Sequence, residues 1–112
     1  MALAGAGALP PISWVVGQSL CPPRVTIPLT PGSIEIDLAG TIVTTQGYNG
    51  SVPGPVIRVK EGDLLHVPVT NNLVEPTLVH WHGISLVNSM DGTLLTQNAI
   101  APSSRFDYEF VV

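Results

Sequence analysis

The segment Val79-His80-Trp81-His82-Gly83-Ile84 decides how the rest of this chain is read. On a β-strand successive side chains point to opposite faces, so residues i and i+2 share one. His80 and His82 then point the same way, with Cα atoms roughly 6–7 Å apart. Trp81 points oppositely, into a core or a neighbouring domain. Two neutral imidazoles side by side form half a metal site, and imidazole suits copper, zinc, iron or nickel. Taken by itself the tripeptide reads more simply as two polar residues on the wet face of a half-buried strand, and the flanking sequence has to decide.

Working outward, Thr77 to Trp81 is expected as a strand carrying the paired histidines. Upstream, Leu65, Val67 and Val69 alternate with His66 and Pro68, giving another strand. Pro68 has no N–H to give a ladder, which predicts an edge position or a bulge there. His66 is then a solvent-facing residue and not a ligand. Ser33 to Leu38 alternates, with Ile34, Ile36 and Leu38 on one face, and Thr41 to Thr45 is β-branched throughout. Ala39-Gly40 breaks these two strands. Asn49-Gly50 is a turn signal, extended by Pro53-Gly54-Pro55. Asn49-Gly50-Ser51 also matches a glycosylation sequon, which a turn explains without sugar. Val56 to Val59 is expected as a strand, and Glu61-Gly62-Asp63 as a turn. Downstream, a long loop over Ser85 to Asn98 contains Met90-Asp91-Gly92. Phe106, Tyr108, Phe110 and Val112 then form the inner face of a last strand. Short strands at regular spacing with no helical pattern predict an all-β sandwich or Greek-key barrel.

The length allows one domain and one modest core. Hydrophobic residues make up 45% of the 112 and charged residues 11%, against a usual charged content of about 25%. So few charges imply that part of the surface is normally covered. A net charge of -4 with four Lys and Arg argues against nucleic acid as a partner. Met1 to about Pro31 holds six prolines without periodicity and reads as a Pro-rich tail, in which Val25-Thr26-Ile27 can add a short edge strand. Met1 to Leu9 resembles the apolar part of a signal peptide but lacks the basic n-region, so no complete export signal is evident. No apolar run has the length of a membrane span. The single cysteine, Cys21, excludes an intrachain disulfide and reads as an incidental small hydrophobe.

Taken in order, Tyr48 to Pro55, Val59 to Asp63, Val79 to Ile84, Met90-Asp91-Gly92, Thr96-Gln97 and Ala99 to Pro102 resemble the N-terminal plastocyanin-like, or cupredoxin, domain of multicopper oxidases, the laccase group. The resemblance runs over about Ser33 to Val112. It implies a cupredoxin-like domain over residues 32–112, preceded by the tail at 1–31. It implies copper as cofactor, with His80 on the type 2 copper and His82 on one type 3 copper of a trinuclear cluster shared with the remaining cupredoxin domains. In that family electrons from a reducing substrate reach the cluster and reduce dioxygen to water, and members are often exported. Asp91 matches an acidic residue that helps supply protons beside the cluster; as an Asp-Gly dipeptide it is equally the start of a turn.

The match has departures. The family's His-x-His segment after the last strand, its type 1 ligands and its other His-x-His motifs are absent, so the domain is expected to be incomplete at its C-terminal end and inactive alone. Thr93-Leu94-Leu95 is shorter than the family's loop after Asp-Gly, and Asn98 stands where some laccases have cysteine. A free blue-copper carrier needs a Cys with a His soon after it in the same domain, whereas Cys21 has no His near it in the sequence and precedes the expected fold. A non-catalytic β-sandwich interaction module without metal is the alternative.

Overall fold

The computed structural model describes residues 21–112, in five strands and one 3-10 turn. The apolar stretch 1–9 and the larger part of the Pro-rich tail lie outside the described residues. The strands are β1 (Arg24–Thr26), β2 (Pro31–Leu38), β3 (Thr41–Tyr48), β4 (Leu64–Thr70) and β5 (Arg105–Val111). They form a three-stranded sheet in the order β1-β4-β5 and a two-stranded sheet of β2 and β3. β1 runs parallel to β4, and the other pairings are antiparallel.

The hairpin β2–β3 follows from its sequence. Its loop is Ala39-Gly40, both with positive φ (52° and 89°), the geometry of a type I′ turn whose twist matches that of the strands. The Asp37 carboxylate accepts the Gly40 N–H at 2.5 Å. Ile34 and Ile36 are half-buried, whereas Leu38 at the tip is 57% exposed because the hairpin extends past the core. A second turn of the same kind falls at Asn49-Gly50. There the Asn49 side chain donates to the Pro28 carbonyl (3.0 Å) and accepts the Thr30 N–H (2.7 Å). The sequon asparagine is thus occupied as a clamp between the hairpin and the chain entering it.

Alternation places Leu65, Val67, Val69, Tyr108 and Phe110 on the inner face of the larger sheet, none more than 6% exposed. Each such aliphatic side chain contributes about 1.5–3 kcal/mol by leaving water. Leu29, bridged to Val69, closes one side of this core at 5% exposure. The expected edge strand in the Pro-rich stretch is present as β1.

Three expectations are corrected. β4 is the central strand, not an edge. Pro68 is accommodated because its nitrogen faces the segment just past the end of β1, where its carbonyl accepts the Leu29 N–H at 3.0 Å. Residues 56–59 form no ladder. Ile57 and Val59 lean on the core while Val56 is 75% exposed, so burial alternates although no neighbouring backbone pairs with the segment. Likewise the histidine segment is not a full strand. One bridge, Thr77 with Ile100, anchors its start.

Candidate metal centre

Although residues 78–82 lack a ladder, the period of two survives. Val79 and Trp81 are each 9% exposed and face the core, and His80 and His82 are exposed on the other side. Trp81 packs edge-on against Phe110 and Tyr108, with centroids 5.1 and 5.7 Å away. The Tyr108 hydroxyl oxygen accepts the Val79 N–H at 3.2 Å. Below the histidines, then, an aromatic cluster fixes the segment, and Gly83 (φ 83°) turns the chain away after them. The two imidazole centroids lie 5.6 Å apart with ring planes at 79°, the adjacency expected from the strand period.

The loop carrying Asp91 closes over His80. The Asp91 backbone carbonyl lies 2.7 Å from His80 Nδ1. A carbonyl can only accept, so Nδ1 carries the proton, and in the neutral ring Nε2 keeps a free lone pair. Metal-ligating histidines are usually held this way, by a hydrogen bond from the nitrogen that does not bind the metal. The Asp91 carboxylate is farther off, with Oδ1 3.7 Å from the same nitrogen, and its side chain is partly exposed. The 3-10 turn Asn88–Met90 leads into this loop, and the Met90 sulfur accepts the Glu109 N–H at 3.4 Å, tying the loop to β5. Among the described residues no group of three or more His, Cys, Asp or Glu is arranged to hold a metal, so this chain brings two imidazoles and a nearby carboxylate.

His66 stands apart, on the outer face of β4. It faces away from the core as expected, but it is not freely solvated. Its side chain is 14% exposed, with Nε2 2.8 Å from an Asp107 carboxylate oxygen and Nδ1 3.4 Å from the Thr26 hydroxyl. Neighbouring strands cover it, which reading a single strand could not reveal. Asp107 is held below the ordinary carboxylate range, chiefly by its hydrogen bond from Arg105, with burial opposing and the hydrogen bond from His66 adding to the lowering.

Sequence reasoning also missed residues that build the site. Asn71 is fully buried. It donates to the Glu75 and Ile100 carbonyls and accepts the Leu73 N–H, each at 2.9 Å. It thereby braces Ile100, the partner of Thr77 at the start of the histidine segment. In the sequence Asn71-Asn72 signals only the end of a strand.

The strand arrangement is that of a cupredoxin-like domain, the fold of the multicopper oxidase structures it superposes on. The chain belongs to the multicopper oxidase family, whose model matches residues 32–112. It is 51% identical over 88 residues to the multicopper oxidase MmcO of Mycobacterium tuberculosis, a match covering 79% of this chain and 18% of that protein. It is 48% identical over 65 residues to Laccase-9 of Arabidopsis thaliana, covering 55% of this chain and 11% of that one. Among solved structures, the laccase from Botrytis aclada superposes with a TM-score of 0.76 at 36% identity, over 82% of this chain and 18% of that chain. The blue copper oxidase from Nitrosomonas europaea gives 0.75 at 36% identity, over 80% and 29%. The chain therefore spans less than a fifth of the length of these two curated relatives.

Proposed function

We propose that this chain is a copper-binding first domain of a laccase-like multicopper oxidase, contributing His80 to the type 2 copper and His82 to one type 3 copper. The carrying observation is the seating of His80. Its Nδ1–H is engaged by the Asp91 carbonyl, leaving Nε2 free beside a second exposed imidazole. Two neutral nitrogen donors on one face suit copper, so the residues fit the family's cofactor. When bound, copper supplies one-electron transfer and the reduction of dioxygen to water.

The protein's own contribution is positional and protonic. Trp81 and Val79, anchored in the core, hold the two imidazoles side by side. Asp91 is the proton relay in this reading: its carboxylate is close to His80 yet open to water, so it can pass protons from solvent toward the face where they are consumed. With two histidine donors in the chain, the remaining cupredoxin domains of such an oxidase complete the centre, and the chain alone is inactive. Dioxygen and a reducing substrate are the partners of the whole enzyme.

The test joins this chain to the remaining domains of a related oxidase. His80→Ala should deplete type 2 copper, seen in the paramagnetic spectrum. His82→Ala should disturb the coupled type 3 pair. Each should abolish dioxygen reduction while leaving type 1 reduction intact. Unchanged copper content in His80→Ala would remove the assignment. Oxygen uptake by the isolated chain with a phenol, above the rate of free copper ion, would overturn the inactivity.

A further inference from the structure

We propose that Gly92 is a positioning residue for His80: by lacking a side chain it seats the Asp91 carbonyl on Nδ1–H and so decides which imidazole nitrogen is left for metal. Gly92 is buried with φ 74°. A β-carbon there would overlap the Val79 carbonyl oxygen and come within 3.0 Å of the His80 Cα. Both obstacles are backbone, and Val79 is pinned by Tyr108, so neither can swing aside. The Asp91 loop would have to lift instead. The carbonyl that moves with it is the one 2.7 Å from His80 Nδ1, and a hydrogen bond does not survive displacement to about 3.6 Å.

Other glycines show that this is contact and not backbone strain alone. Gly40 (φ 89°) has an equally left-handed backbone, but a β-carbon there meets nothing within 4 Å. The acceptor is the carbonyl and not the Asp91 carboxylate, whose Oδ1 lies 3.7 Å from Nδ1, beyond hydrogen-bond reach. Once released, the ring is free to carry its proton on Nε2, and the lone pair then turns toward Asp91 and away from the open face. His66 provides the opposite case within the same chain: its Nε2 meets the Asp107 carboxylate, which requires the proton on Nε2.

The tautomer part of this inference stands on geometry alone; its consequence for copper rests on the proposed function. The experiment is nitrogen-15 NMR of the imidazoles in the metal-free full chain, at a pH where the rings are neutral, with the three histidines assigned by His→Gln variants. The expected result is Nδ1–H at His80 and Nε2–H at His66. Gly92→Ala should shift His80 toward Nε2–H and weaken copper(II) binding by roughly 10–100-fold. Gly92→Asn should do the same, because asparagine tolerates positive φ while its β-carbon collides alike. Gly40→Ala should leave both tautomer and copper(II) affinity unchanged. Asp91→Asn should keep Nδ1–H, since the acceptor is backbone. An Nε2–H His80 in the unmodified chain, a folded Gly92→Ala that retains Nδ1–H, or a tautomer switch in Asp91→Asn would each overturn the proposal. If both Gly92 variants fail to fold, judged by the near-ultraviolet signal of Trp81, the unmodified and Asp91→Asn spectra decide it. The expected tautomers together with no copper(II) binding would support the positioning role and count against the copper reading.

Discussion

The Tyr108 hydroxyl oxygen accepts the Val79 N–H at 3.2 Å, fastening the histidine segment to the aromatic strand β5. Because that segment has a single β-bridge, this side-chain bond does work that a ladder does elsewhere. Tyr108→Phe keeps the ring packing and strands a buried N–H. The expected cost is about 1–3 kcal/mol, read as a lower denaturant midpoint at unchanged m-value. A midpoint equal to the unmodified chain's would show that the N–H finds water.

Asn71→Ala removes three side-chain hydrogen bonds at a site with no solvent exposure. A loss of about 3 kcal/mol or more is expected. Amide exchange at Leu73, whose N–H is bonded to the Asn71 side chain, should quicken ahead of β4. Uniform quickening across the sheet would mean that the brace is not local.

Stability should depend on pH through Asp107. Its folded pKa is lowered, first by Arg105 and then by His66, so its stabilisation is present above the unfolded carboxylate range. It is lost as pH falls through the lowered folded value. Asp107→Asn should therefore lower stability at neutral pH by no more than about 1 kcal/mol, as fits a solvent-screened pair. The two proteins should converge in acid, and a gap that widens there would contradict the sign.

His66→Ala should cost about 0.5–1.5 kcal/mol, because it breaks the contacts to Asp107 and Thr26 on a mostly covered ring. Copper(II) binding, measured by titration of the same variant, should not change. Copper loss equal to that of His80→Ala would place His66 in the site.

Leu94 and Leu95 are 76% and 97% exposed, whereas the aromatic residues of β5 are turned into the core. Self-association is thus expected from this loop and from the open edge of β5. Replacing both leucines by lysine should lower the sedimenting oligomer fraction while changing stability within roughly 0.5 kcal/mol. An unchanged oligomer fraction would point to the strand edge alone.

Period-two patterning determined by itself that the chain is all-β, that Ile34, Leu65 and Tyr108 face inward, and that His80 and His82 share a face. Alternation is a property of consecutive residues and needs no partner to be legible. The two turns with Asn-Gly and Ala-Gly were legible for the same reason, since their chemistry is local. Only the tertiary structure decided that β4 is central despite Pro68, that 56–59 packs without pairing, and that His66 is covered by Thr26 and Asp107. Each depends on which backbone lies alongside, and those neighbours are about 40 residues away in the chain for β4. The seat of His80 is likewise tertiary. Asp91 and Gly92 announce a turn, but the carbonyl that selects the nitrogen reaches His80 only because the core beneath holds Val79 still while the loop closes over it.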